Sequence, residues 1–490
     1  MTGAVRKVEL WCDSFHEGAW AAEGMIRQWP NAVVTRSHRL GFIPQYSVQR
    51  GELRLELEVF GGYGNWTDLP TKIRELLDWG KPDIIGYDRA TDVILFAVEE
   101  TAAVPTGNQA LQRCERMHGA GTMKVPFWYL LSQFGTHVDE GTRQASPWPA
   151  LMAVALTATF RTPNIVLLYS SEASPEDYAV GEGMVQLFRM LAKMLENYAT
   201  KKKLLDGLDD ELGSHFASML RFVRETYANV TNFLPHAELL SDATTASRLA
   251  GIASGSDAGK TSFPLLDWPR FKDLPVAFRK SQSPGSFIKV DAFLSRLEAG
   301  RGTGHAYTLS QNAGSRPQPE GDLKSWIDQQ RRLHAGAHPL NPPAAFTLNL
   351  DDFPESSSGL RHVTTAKNIL YLVDSVRYVF DALQAAFPRL VGTLPDASDS
   401  AAIVYVSNSV KPGRIFGDPY TGQFAAFSWV FGGTAEAPRV RIAYFPHHSH
   451  GVLNPDRTSR NKGQLIFLSR ADYLVFHSGA VYSAKERRWL

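Results

Sequence analysis

The chain has 490 residues, 51 Lys and Arg against 50 Asp and Glu, a formal charge of +1, and 44% hydrophobic residues. This composition excludes a disordered or fibrous chain and gives enough apolar material for two or three domains, since single cores stop growing at about 250–300 residues. The balanced charge excludes a uniformly basic nucleic-acid binder and permits only a local basic surface.

Taken from its start, the chain shows no apolar core of a signal peptide in MTGAVRKVELWCDSFHEGAW. Val5 to Cys12 reads as a strand and Ser14 to Trp29 as an amphipathic helix capped by Asp13 or Ser14, with Trp20, Met25, Ile26 and Trp29 as its buried stripe. Glu17 and Glu23 on that helix read as a solvated face. Leu53 to Phe60, LRLELEVF, alternates with period two and predicts a half-buried strand. Gly61 to Gly64 turn the chain, and Thr67 or Asp68 is expected to cap a helix through Asp78 and Trp79, with Pro70 in its first turn.

The stretch from Lys81 to Arg116 carries the chemistry. Pro82 and Asp83 precede the apolar pair Ile84–Ile85, a turn-rich segment spans Gly86 to Asp92, and Val93 to Val98 form a second apolar run ending in Glu99-Glu100-Thr101. This predicts a hairpin that returns Glu99 to the side of Asp83, 16 residues earlier. Two carboxylates so placed suit a hard divalent cation with oxygen ligands, such as Mg²⁺ or Mn²⁺. Carboxylates closing a buried strand are otherwise costly unless paired. A helix is expected from Asn108 to His118, with Gln109, Gln112, Arg113 and Arg116 on one face and Leu111, Cys114 and Met117 turned to the core.

This stretch resembles the PD-(D/E)XK nuclease superfamily, the fold of many restriction endonucleases. Pro82-Asp83 matches the first half of the family pattern, and Val98-Glu99-Glu100-Thr101 matches the second, with Thr101 where the family has lysine. The resemblance covers about the first 170 residues. It implies an α/β fold with a restriction-endonuclease-like mixed sheet flanked by helices, in the order helix, strands, helix, strand. It also implies a Mg²⁺- or Mn²⁺-dependent endonuclease acting on DNA in restriction or phage defence, with Asp83 and Glu99 as metal ligands. Asp83, Glu99, Thr101 and Gln112 are then the catalytic candidates, and Gln109, Arg113 and Arg116 the nucleic-acid contacts. Since Thr101 departs from the lysine, a protein that keeps the fold and binds nucleic acid or a partner without cleaving is the other reading.

Further along, Val125 to Phe134 predicts a strand, Ser146 to Phe160 a helix and Asn164 to Tyr169 a strand. Helices are expected over Pro175 to Ala199 and Leu204 to Val230, joined by Lys201-Lys202-Lys203, a solvated turn or a phosphate contact. Ser254 to Thr261, SGSDAGKT, lacks the spacing of a phosphate loop and reads as a linker. Helical pieces are expected at Val290 to Ala299 and Leu323 to Leu333, and a long helix over Thr365 to Phe387. Ala402 to Val406, Phe424 to Phe431 and Val440 to Phe445 read as strands, with a tight turn at Gly417 to Gly422. His447, His448 and His450 read as a surface loop, and Asp418 with Lys411 and Arg414 as part of a binding surface.

The expected organisation is a nuclease-like domain over 1–170, a helical segment over 171–250, and a C-terminal α+β region over 251–490 for recognition or partner binding. Only two cysteines, Cys12 and Cys114, and no apolar run long enough to cross a bilayer lead to the expectation of a cytoplasmic protein without membrane contact. The expected partners are DNA, with a second copy or a defence protein as further possibilities.

Overall fold

A computed structural model describes residues 5–41, 43–63, 66–101, 107–132, 134–137, 141–169, 182–200, 202–228, 243–258, 361–364, 368–373, 402–407, 415–417, 420–432, 440–445, 448–455, 462–476 and 480–490. The chain divides into two compact units, one formed by Met1–Arg224 with Leu239–Phe263 and the other by Glu225–Glu238 with Pro264–Leu490. The expected helices at Val290 to Ala299 and Leu323 to Leu333, and the residues Lys411, Arg414, Asp418 and His447, lie outside the described residues.

In the first unit β1 (Arg6–Cys12) leads into α1 (Phe15–Ile26), whose start is fixed by a reciprocal cap: Glu17 N donates to Ser14 Oγ and Ser14 N donates to the Glu17 carboxylate. A hairpin of β2 (Val33–Arg39) and β3 (Ile43–Arg50) follows, which the sequence reading passed over, and then β4 (Leu53–Gly61). Parallel pairing of β1 with β4 stacks Trp11 on Phe60 at 4.5 Å between ring centroids. The next helix, α2 (Thr71–Trp79), begins after Pro70, not at Thr67 or Asp68; Pro70 holds the extended N-cap position.

The acid-bearing hairpin is β5 (Ile84–Asp88) with β6 (Val93–Thr101), and part of the expected turn is therefore strand. Next come α3 (Gly107–Gln112) and α4 (Cys114–Thr122), so the single expected helix breaks at Arg113 and its second half runs four residues further than His118. β7 (Phe127–Ser132) pairs parallel to β6, the short ribbon β8 (Phe134–His137) and β9 (Gly141–Gln144) stands apart, and α5 (Trp148–Phe160) crosses to β10 (Asn164–Tyr169), parallel to β7. The sheet order is β10-β7-β6-β5-β1-β4-β3-β2.

Burial on both faces makes β7 and β10 continuous apolar runs, as parallel strands covered by helices on both faces require. On β7 the alternation sends Tyr129 toward α3, where its hydroxyl donates to the Ala110 carbonyl, and Trp128 to the opposite face. That opposite face is covered by α1, by α6 (Glu182–Ala199) and by α7 (Asp209–Ala228), whose His215 Nδ1 accepts from Trp128 Nε1 at 3.3 Å. The first face is covered by α2, α4 and α5, with α8 (Ala243–Ser254) packed on α5. Every residue of α5 from Trp148 to Ala158 is buried, each large aliphatic side chain contributing about 1.5–3 kcal/mol of transfer free energy. α2 and α4 approach closely enough that a Cβ on Gly119 would lie 2.2 Å from Trp79 Cβ.

The second unit has a seven-stranded sheet in sequence order: β11 (Arg361–Thr364), β12 (Asn368–Val373), β13 (Ala402–Ser407), β14 (Val440–Phe445), β15 (Ala471–Phe476), β16 (Val481–Ser483) and β17 (Arg488–Trp489). β13, β14 and β15 are parallel, connected by α9 (Tyr420–Gly432) and α10 (Lys462–Arg470), which stack Phe424 on Phe467 at 3.9 Å.

Several expectations are overturned here. Asn368–Val373 is a strand paired on both sides, not part of a helix over Thr365 to Phe387, because NILYLV satisfies its backbone between β11 and β13; residues 374–387 lie outside the described residues. Phe424 to Phe431 is helix, not strand: Phe424, Ala425, Ala426, Ser428, Trp429 and Val430 are all buried, so neither a helical nor an alternating stripe stands out. The start of α9 also takes up the expected turn from Tyr420 on. His448 is buried, and the surface-loop reading fails for it, while His450 is exposed on a short 3₁₀ turn.

Candidate functional site

Register places the two acids together. Ile84 pairs with Val98, so Asp83, one residue before β5, stands opposite Glu99 on β6. Backbone contacts pin this end of the hairpin: Tyr63 Oη donates to the Pro82 carbonyl, and Asp13 N donates to the Asp83 carbonyl at 3.1 Å. The Asp83 carboxylate is oriented by Glu100 N, which donates to Oδ2 at 2.6 Å.

Arginines from the next helices meet both acids. Arg116 Nη1 lies 3.4 Å from Asp83 Oδ1 and bonds Glu99 Oε2 directly, while Arg113 Nε faces Glu99 Oε1 at 3.3 Å. Leu111, Cys114 and Met117 are fully buried, and this anchoring turns the intervening stripe of Arg113 and Arg116, three residues apart, toward β6. Gly80 makes room for the second of them, since a Cβ there would stand 2.7 Å from Arg116 Cγ. Arg113 keeps 35% of its side chain exposed and Arg116 only 10%.

The electrostatics follow from burial. Glu99 is fully buried, and burial first, then the charge of Asp83, pushes its carboxyl well above the usual carboxylate range, against the pull of Arg116. Burial likewise raises Asp83, with the Glu100 amide and Arg116 opposing. Burial works against charge on Arg116, and the Glu99 carboxylate more than offsets it, holding the guanidinium charged. Two carboxylates thus face two guanidiniums. Even so, Glu99 Oε1 and Arg116 Nε have no hydrogen-bond partner.

The remaining candidates fall as follows. Glu100 points to the other sheet face, where Tyr169 Oη donates to its carboxylate at 2.7 Å. Thr101 returns to the Glu99 face and its hydroxyl is engaged with Tyr129 Oη at 3.2 Å. Gln112 is half-buried, and the contacts to the acid pair among the described residues come from Arg113 and Arg116 instead. Gln109 lies in α3, and its side chain is outside the described residues. Glu17 is raised by burial first and then by the charge of Asp83, which places it within electrostatic reach; Glu23 is spent on Arg36 through two hydrogen bonds of 2.8 Å. Lys202 and Lys203 are exposed. Sequence spacing put Arg113 and Arg116 on the right helix face. It did not reveal that they, and not the glutamine, reach the acids.

No family model, no curated protein and no solved structure matches this chain.

The donor set fits a hard divalent cation in part. Asp83 and Glu99 offer carboxylate oxygens, one of them the orphaned Glu99 Oε1. Among the described residues no group of three His, Cys, Asp or Glu could hold a metal, so a cation here would take its other ligands from water or substrate.

Proposed function

We propose that the first unit is a divalent-metal-dependent endonuclease of the PD-(D/E)XK type, hydrolysing DNA phosphodiester bonds. The observation that carries this reading is the facing of Asp83 and Glu99 on adjacent strands, with Arg116 aimed at both from the crossover after the acidic strand. Asp83 and Glu99 would hold Mg²⁺ or Mn²⁺, which activates water and offsets transition-state charge. The Glu100 amide keeps Asp83 in its ligating orientation. Arg116 supplies beside the pair the positive charge that Thr101 lacks. Arg113, partly exposed, is the group that contacts the phosphate.

The test is nicking of a supercoiled plasmid by the full chain with Mg²⁺ or Mn²⁺ against EDTA. Asp83→Ala and Glu99→Ala should each abolish cleavage while DNA binding persists, because each removes ligand oxygens and also repulsion toward the backbone. Cleavage that survives both substitutions, or ignores EDTA, sinks the reading.

A second reading rests on one observation: Glu99 is already ion-paired with two guanidiniums, as in a structural charge cluster. On that reading the unit binds nucleic acid or a partner protein without cleaving. Wild-type protein would then retain DNA in a mobility shift and leave the plasmid intact at every metal concentration.

A further inference from the structure

Two buried hydroxyls in the second unit make no hydrogen bond. Tyr405 Oη and Ser407 Oγ both belong to β13, both side chains are fully screened from solvent, and neither has a partner. Nearby, Ser428 shows the ordinary outcome: its hydroxyl donates to the Ala425 carbonyl and accepts from Arg470 Nε. Leaving such a group unsatisfied costs about 1–3 kcal/mol. Two of them, two residues apart on one strand, call for a physical cause.

Alternation places both on the same face of β13. That face is covered by α9 and α10, since the Tyr405 ring meets Phe424 edge-on at 5.0 Å and Phe467 at 5.8 Å. The crossover from β13 to the parallel β14 runs α9 against the strand direction, so its N-terminus stands at the strands' carboxyl ends. From Phe424 one turn back along α9 reaches Tyr420, a step of about 6 Å. From Tyr405 two residues onward along β13 reaches Ser407, a step of about 6.6 Å. Ser407 is therefore level with the first turn of α9. The Tyr405 phenol is pushed up by burial and then by Tyr420, which confirms their proximity and keeps Tyr405 a donor at neutral pH.

The carboxyl ends of parallel strands are where open α/β sheets take ligands. The amides of Tyr420 and Thr421 are already spent on the Gly417 carbonyl. The helix dipole remains, worth about half a positive charge at this end. His448 is buried three residues past the end of the adjacent strand β14. Two hydroxyl donors without acceptors at the positive end of a helix match an anionic oxygen cluster.

We propose that the second unit binds the phosphate group of a small molecule at this place, Tyr405 and Ser407 donating to its oxygens and the N-terminus of α9 countering its charge. The experiment is thermal melting of the full chain with inorganic phosphate or with AMP, against chloride at equal ionic strength. Either probe should raise the melting temperature by several degrees. Tyr405→Phe and Ser407→Ala, each removing only an unsatisfied hydroxyl, should melt at or above wild type without ligand and need at least tenfold more probe for the same shift. Asp83→Ala should keep the shift, which separates this site from the acid pair. A larger shift with AMP identifies a nucleotide as the source of the phosphate, and equal shifts identify the free ion. An adventitious internal water would satisfy the hydroxyls equally well; it predicts no shift with either probe, and that result, or a shift untouched by both substitutions, overturns the proposal.

Discussion

Arg116 is nearly buried and faces two carboxylates at once. Arg116→Ala leaves Glu99 with only Arg113 and should destabilise the unit by on the order of 3–5 kcal/mol at neutral pH, the range for breaking a buried pair. The loss should shrink as pH falls and Glu99 takes up a proton instead; urea unfolding over a series of pH values measures both. Arg113→Gln is the milder change, since its side chain is partly exposed and Glu99 keeps Arg116. It should leave the melting temperature nearly unchanged, tighten Mn²⁺ binding in calorimetry by removing the positive charge beside Glu99 Oε1, and weaken DNA binding. Unaltered affinities for both would return Arg113 to a purely structural place. The pH dependence has a definite sign. Burial, and then the charge of Asp83, raises the Glu99 pKa above the usual carboxylate range, and any proton it carries must leave before a cation binds. Mn²⁺ affinity should therefore rise with pH through that raised pKa, by about tenfold per unit where one proton is released. A profile flat over the whole pH range in which the fold persists would remove Glu99 from the ligand set.

Elements that fold by local pattern were readable from the sequence, and those defined by partners were not. LRLELEVF alternates and is β4; NIVLLY between Pro163 and the polar segment that follows is β10 residue for residue. The pairing of Asp83 with Glu99 was equally legible, because a hairpin's register follows from its length. Gln112 and Arg113 looked alike in spacing, and only the break of the helix at Arg113 decides which side chain meets Glu99. Phe424 to Phe431 misleads for the opposite reason: a helix buried all round has no polar face to give it period. One buried element makes a sharp prediction of its own. His215 on α7 accepts from Trp128, and burial, with the charge of Arg189 adding, lowers its pKa from 6.5 to about 4. The unfolded chain thus binds a proton below pH 6.5 that the fold refuses until about pH 4, and stability falls as pH drops through that window. The loss between pH 6.5 and 5 should be about 2 kcal/mol, and His215→Gln should flatten this part of the melting-temperature profile. An unchanged slope in the variant would assign the acid sensitivity to the carboxylates.

At the scale of the whole molecule, composition allows for two or three domains and the sequence pattern sets breaks after residues 170 and 250, with a linker over Ser254 to Thr261; nothing in it indicates that the chain passes between units more than once. It leaves the first unit at Arg224, returns at Leu239 and leaves again at Phe263. The returning segment brings α8, which packs on the buried helix α5. A fragment of residues 1–263 should therefore fold on its own with the acid pair intact, whereas residues 1–228 should melt lower because α5 loses its cover; circular dichroism melts of the two fragments compare them directly. The same threading governs how the protein comes apart. A protease that nicks the chain once between residues 229 and 242 produces two pieces on a denaturing gel, yet the first unit still contains parts of both, held by α8 against α5. The nicked halves should co-elute as one species in size exclusion, and only denaturant should part them.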